Sequence, residues 1–423
     1  MEQQLNAILN AHVATATTPS GTGTHDKLLG ASFAVVAVVS SKEATIDGDT
    51  TPSRGSAIIP YAGSAGRIGF GFDHDQVSSA PFAGASLAYV ASLTKLVTTT
   101  CLMQLVERGV LSLDQDVRVP ELADARILRG FDGAGRPVLE TNTTPITMLL
   151  THTAGLGYDL ADPALTKWSA HVGRRATNLD WSRPGFTTPL SFAPGSGWCY
   201  GTAIDWAGLV LEAATGQTLG EYMQTHIFAP LGMRDTGFWP EKLPQTASRA
   251  VAFSYRDATT AGLEPGPPSV PEQHDVESGG AGLYTTADDY ARFLRGLLAG
   301  ELVSDATLDE MLKPQLNDTQ REMLEATVYR SGVQDGFAPE FPTGLALNHG
   351  LGGVINMEDV DGKRRKGSMM WSGACNSHWW IDRESGIAAV LIVNVQPHGD
   401  AVAVRLYDEL ERAVYAHLVR YSI

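Results

Sequence analysis

The sequence predicts an α+β fold, an α/β sandwich around an antiparallel sheet with a mostly helical stretch inserted into it. Three observations predict it. Strand-like apolar runs lie near both ends of the chain, helical spacing dominates the middle, and an amphipathic segment stands at each terminus. That order makes one sheet from both ends. Residues 1–100 and 301–423 are expected to form the sheet-bearing domain and residues 101–300 the inserted helical one, with a site in the cleft between them.

Each element follows from local pattern. Leu5, Ile8, Leu9 and Val13 share a helical face within residues 2–14, and a polar Thr/Ser/Gly segment follows to about Asp26. Ser32 to Ser40 is rich in Val and Ala and reads as a buried strand, with Ala57 to Tyr61 as its partner and a Gly-rich turn from Gly63 to Gly71. Gly66, Gly69 and Gly71 resemble part of a dinucleotide fingerprint, but no helix pattern follows them. Leu93 to Val110 is a strong helix pattern that stops at Gly109, and Leu111 to Asp116 reads as a turn. Further helical spacing runs over Ile146 to Leu150, Ala203 to Ala214, Thr218 to Phe228 and Thr286 to Leu298. Strand patterns return at Gly352 to Met357, Ser368 to Trp371, His378 to Asp382 and Ile387 to Val395. The last two are joined by Arg383-Glu384-Ser385-Gly386 as a hairpin. An amphipathic helix, Val402 to Leu418, closes the chain.

Composition excludes several classes of function. A net charge of −16 opposes binding to nucleic acid or to an anionic membrane. No apolar run approaches the roughly 20 residues that span a bilayer. Met1-Glu2-Gln3-Gln4-Leu5 has no basic region leading into an apolar core, so no secretory signal is expected. Cys101, Cys199 and Cys375 are far apart and odd in number, which suits neither a disulfide framework nor a zinc site. The expected location is cytoplasmic, without metal or cofactor.

The stretch that carries chemistry is Ala91-Ser92-Leu93-Thr94-Lys95, which leads into the apolar run Leu96 to Val106. Three residues of helix advance the chain about 4.5 Å and most of a turn, so Ser92 and Lys95 share a face. A free lysine, with a pKa of about 10.4, is protonated in neutral water, but burial among apolar neighbours lowers the basicity of an amine. A hydroxyl beside such an amine becomes a nucleophile.

Other stretches give that pair a context. Leu149-Leu150-Thr151-His152-Thr153-Ala154-Gly155-Leu156, Phe192 to Tyr200, Ala229-Pro230-Leu231-Gly232-Met233 and Gly279 to Asp289 follow it in order. Together they resemble the class C beta-lactamase and family VIII carboxylesterase group, whose fold is that of the beta-lactamases and penicillin-binding transpeptidases. Gly130 to Gly135, Tyr200 to Gly208 and Asp359 to Ser368 narrow the likeness to fungal acyltransferases of the statin side-chain type. The resemblance implies Ser92 as nucleophile, Lys95 as its activating base and Tyr200 as second acid/base. It also implies an oxyanion hole from the N–H groups of Ser92 and Ala374. Substrate contacts are expected from Tyr158, Trp198, Trp371, Ser372, Gly373 and His152, the last as a residue holding its loop near the site. A Ser-His-Asp triad is disfavoured, since no Gly-x-Ser-x-Gly elbow occurs.

Two departures set the substrate class. Lactamases of this group place Asn two residues after the tyrosine and Lys-Thr-Gly on the last strand; here those positions read Tyr200-Gly201-Thr202 and Trp371-Ser372-Gly373. The cation for a lactam carboxylate is replaced by an aromatic, and Trp198, Tyr200, Trp371, Trp379 and Trp380 point to an apolar acyl or polycyclic group. The expected reaction is acyl transfer from a thioester or ester donor, through Ser92, to an alcohol of a small apolar natural product. Simple ester hydrolysis is the alternative; a weak lactamase and a non-catalytic ligand-binding relative stand behind it. Asp73-His74-Asp75 reads as a solvated turn rather than a metal site. Lys363-Arg364-Arg365-Lys366 is expected to be solvated, with an acyl carrier protein or its phosphopantetheine arm as the partner it would suit.

Overall fold

A computed structural model of the chain describes residues 1–14, 24–39, 56–70, 80–116, 119, 122, 125–144 and 149–421. Asp73-His74-Asp75, Gly71, most of the polar segment before Asp26, and residues 146–148 lie outside the described residues.

The largest sheet has seven antiparallel strands. They are β1 Gly30–Val39, β2 Ser56–Gly66, β3 Leu347–His349, β4 Val354–Asn356, β5 Met369–Ser372, β6 His378–Asp382 and β7 Ile387–Ile392. Their order is β2-β1-β7-β6-β5-β4-β3, so the sheet is indeed built from both ends of the chain. Strands β3 to β7 are buried throughout, which explains their continuous apolar runs. β2 continues past the expected turn to Gly66. Gly63 stays in the ladder opposite Phe33 because, lacking a side chain, it lets Tyr61 lie over it and donate its hydroxyl to Asn6 at 2.8 Å.

Helices cover both faces. α1 Glu2–His12 packs on β2 and against the long closing helix, Ala401–Tyr421, while Ala287–Leu298 packs on β1, β2 and β7. Between them in sequence lie α2 Thr94–Glu107 and α3 Ala203–Thr215, which pack on each other. In chain order the covering helices are therefore α4 Ala287–Leu298 and α5 Ala401–Tyr421. α2 is buried from Thr94 to Leu105, consistent with apolar residues on every side rather than one stripe. The expected helix Thr218 to Phe228 is real but changes pitch, from α over Leu219–Met223 to π over Gln224–Phe228. The middle of the chain also carries a two-stranded hairpin, Arg126–Phe131 with Pro137–Thr141, and short strands at Ser254–Arg256 and Leu263–Pro265. Among the described residues no helix is long and apolar enough to cross a membrane, and the three cysteines are free.

The basic run departs from expectation. Lys363 and Arg364 are buried, Arg364 completely, and only Arg365 and Lys366 are exposed. Arg364 meets Glu411 at 2.7 Å and Glu340 at 3.2 Å, donates to Tyr407 at 2.9 Å, and lies near the rings of Trp380 and Phe341. Lys363 pairs with Asp408 at 2.5 Å. The run is half internal because α5 brings Asp408 and Glu411 over it, a pairing of residues 47 positions apart that local charge counting does not reveal.

Candidate active site

Ser92 lies at an elbow. A single 3-10 turn, Ala91–Leu93, enters α2, so Ser92 and Lys95 stand one turn apart across that junction. Ala91 has φ of 45°, the left-handed region that costs a residue with a Cβ on the order of 1 kcal/mol or more. Neighbouring bonds hold it there. Val90 N–H donates to Leu283 C=O at 3.1 Å, Thr94 Oγ1 donates to Ala91 C=O at 2.6 Å and accepts from Leu283 N–H at 3.0 Å. Tyr290 donates to Leu93 C=O at 2.9 Å. Gly373, at the end of β5, abuts the same elbow, where any Cβ would strike the Val90 carbonyl.

Three side chains converge on one oxygen. Lys95 Nζ donates to Ser92 Oγ at 3.1 Å, and the Tyr200 hydroxyl donates to the same atom at 2.7 Å. Lys95 is 2% exposed, and its amine also donates to Gly280 C=O at 2.7 Å and lies 4.7 Å from the centre of the Tyr200 ring. Among the described residues no carboxylate forms an ion pair with it. Asp205, on α3, acts on it electrostatically: it accepts from Gly280 N–H at 3.0 Å and from Ser278 at 2.5 Å, which fixes the residue whose carbonyl holds Lys95. Burial raises the Asp205 carboxyl above its usual range, with Lys95 the main opposing influence. Trp371 Nε1–H donates to Tyr200 Oη at 3.2 Å, so the aromatic that stands where lactamases carry a cation touches the tyrosine itself.

The cavity above Ser92 encloses about 280 Å³. Tyr89, Tyr158, Trp181, Tyr200 and Phe337 form an aromatic wall, and Ser269, Ser372, Gln396 and His398 form a polar one. Ala374 also lines it, exposed in the turn after β5, with an N–H that donates to no group among the described residues. Burial first, then the neighbouring Tyr200, pushes the Tyr158 phenol well above the ordinary tyrosine range. A second cavity of like volume, on the far side of α2 beside Leu102 and Leu150, contains neither Ser92 nor any other cluster of reactive groups.

The expected contacts divide. Tyr158, Ser372 and Ala374 line the cavity beside Ser92, and Trp371 reaches it through Tyr200. Trp198 does not line it: it is 2% exposed behind His152, whose ring lies 6.1 Å away. His152 is buried 5.1 Å from the Tyr200 ring, and desolvation holds its imidazole well below the usual pKa, so it backs the tyrosine as a neutral ring. Trp379 and Trp380 are wholly buried. Trp380 stacks on Phe33 and meets Tyr407 edge-on, as core packing between sheet and α5. Tyr89, Trp181, Phe337, His398 and Asp205 were not foreseen as parts of the site. The first four come from short or irregular segments without periodicity, and only their meeting in space marks them.

Comparison with known proteins identifies the family of the chain. The family model described as Beta-lactamase matches residues 61–413. A lovastatin esterase of Penicillium rubens is 37% identical over 71% of this chain and 78% of its own length. A monacolin J acid methylbutanoyltransferase of Aspergillus terreus is 34% identical over 77% of this chain and 81% of its own. Among solved structures, an Aspergillus terreus simvastatin synthase variant superimposes with a TM-score of 0.81 at 31% identity, covering 93% of this chain and 91% of that one.

Proposed function

The chain belongs to the beta-lactamase family and is an enzyme of its acyltransferase and esterase branch; we propose that it works through an acyl-enzyme on Ser92 and passes the acyl group to an alcohol. The observation that carries this reading is the convergence of the Lys95 amine and the Tyr200 hydroxyl on Ser92 Oγ.

In the first half, Lys95 takes the Ser92 proton as Oγ attacks the carbonyl carbon of a thioester or ester. The negative charge of the tetrahedral intermediate falls on the former carbonyl oxygen, toward the N–H groups of Ser92 and Ala374. Losing one such donor typically costs about 100- to 1,000-fold in rate. Tyr200 hands a proton to the departing thiol or alcohol as the bond to carbon breaks, and regains it from the incoming alcohol in the second half, when the acyl bond to Ser92 Oγ breaks and Lys95 returns its proton to that oxygen. Trp371 and the carbonyl of Gly280 keep tyrosine and lysine aimed throughout. The aromatic wall suits an apolar acyl chain and a fused-ring acceptor, in keeping with relatives whose names specify methylbutanoyl and monacolin J. A carrier-borne thioester is one form of donor; with Lys363 and Arg364 internal, only Arg365 and Lys366 of the basic run face solvent to meet an acidic carrier.

Hydrolysis is the second reading, favoured by the relative named as an esterase. Product analysis with a short acyl thioester and excess hydrophobic alcohol separates the two. New ester as the main product is expected, and free acid alone at every alcohol concentration would leave only the esterase. A fluorophosphonate probe should label the intact protein and fail to label Ser92→Ala. Absence of labelling in the intact protein would support a ligand-binding role instead.

A further inference from the structure

The polar wall of the cavity has a direction. Ser372 Oγ lies 3.1 Å from His398 Nε2, and both line the cavity with Ser92. The His398 ring turns its Nδ1 side toward the Gly336 backbone, which favours a proton on that side. With the proton assigned to Nδ1, Nε2 keeps its lone pair. Burial brings the ring down to a pKa of about 4, so it is neutral at physiological pH. A neutral ring with a free Nε2 accepts the Ser372 proton, which leaves the serine oxygen to accept, and not to donate, toward the cavity.

This arrangement is built in, not incidental. Asn376, fully buried with φ of 65°, clasps the loop that carries His398: its Nδ2 donates to the carbonyls of Val395 and Pro397, and its Oδ1 accepts from Gly399 and Asp400 N–H, all at 2.8 to 3.1 Å. Phe337 packs edge-on against the ring from the cavity side at 5.3 Å. Nearby, Gln396 Nε2 donates to Ser269 Oγ at 3.1 Å, so the adjoining serine is engaged as well.

We propose that the Ser372–His398 pair is a specificity device that reads a hydrogen-bond donor on the acyl donor, namely the secondary amide N–H of a thioester arm. This rests on the acyl-enzyme reading of Ser92. A thiol arm with an amide N–H meets the Ser372 lone pair; an arm with an ester oxygen in the same place sets lone pair against lone pair and leaves the serine unpaired. Ser372 is thus a binding residue and His398 a positioning residue that acts through it.

The test compares one acyl group on N-acetylcysteamine with the same acyl group on 2-mercaptoethyl acetate, which replaces the amide N–H by oxygen. Rates are normalised to sites titrated with a fluorophosphonate. The intact protein should prefer the amide by about tenfold or more in kcat/KM, Ser372→Ala should bring the ratio close to one, and Ser372→Thr should keep it. His398→Phe, which frees the serine to donate, tests the same point independently and should also lower the ratio. A ratio near one in the intact protein, or one unmoved by Ser372→Ala and His398→Phe, overturns the proposal. Failure of the acyl-enzyme reading looks different: neither thioester then acylates Ser92.

Discussion

Arg364 and Lys95 are both buried, and their surroundings could hardly differ more. Arg364 lies against two carboxylates and a tyrosine hydroxyl, whereas Lys95 touches a serine, a carbonyl and an aromatic face. Burying a charge is expensive, and the first site offsets that with opposite charge. The second is left without an ion-pair partner among the described residues, held only by neutral groups and by Asp205 through Gly280. Arg364, paired on all sides, fastens α5 to the sheet; the Lys95 amine, with no counter-charge bonded to it, has chemistry available to it.

The sharpest way to break this comparison is to make both side chains apolar. Lys95→Met should reduce kcat/KM by about 1,000-fold or more, as loss of an activating base does, while leaving chemical stability equal or higher. Arg364→Met should do the reverse, costing about 3 to 5 kcal/mol by leaving Glu340 and Glu411 buried and unpaired, with modest effect on turnover per folded molecule. Urea unfolding beside steady-state kinetics reads both. Equal stability losses in the two variants would show that Lys95 is structural.

Acid offers a second, smaller test. Burial brings His349 and His398 down to a pKa of about 4, whereas unfolded histidine titrates near 6.5. Their folded values are depressed, so their contribution to stability is complete above about pH 6.5 and is lost as pH falls toward 4. Each removes at most roughly 3 kcal/mol across that window. His349→Phe and His398→Phe should each make unfolding free energy fall less between pH 7.5 and 5 than it does in the intact protein, and an unchanged pH slope in both would contradict the buried neutral rings. The smallest effect is expected at Trp371. Trp371→Phe removes one neutral hydrogen bond to Tyr200 and keeps the aromatic surface, so kcat should drop about three- to tenfold.

The same contrast explains what the sequence revealed. Periodicity located α2, α3, α4 and β5 to β7 to within three residues at each end, because burial on one or all faces leaves a direct mark on the order of apolar residues. Ser92, Lys95 and Tyr200 were legible because their order and neighbours resemble a known group. The basic run was misread for half its length, since its partners sit on α5 and charge in sequence says nothing of charge in space. Trp198 was expected as a substrate contact, and Trp379 and Trp380 as pocket residues with strand packing for at least one of them; all three are buried. Phe337 and His398 were passed over because one-turn helices and clasped loops have no period to betray them.

The account stands on a covalent intermediate at Ser92. Intact-protein mass spectrometry within the first seconds after mixing with an acyl thioester measures it directly. The expected result is a gain of one acyl group, mapped to the peptide holding Ser92, which disappears on addition of alcohol as ester forms. Continued turnover with no acyl group on Ser92, or an adduct that maps elsewhere, would contradict it.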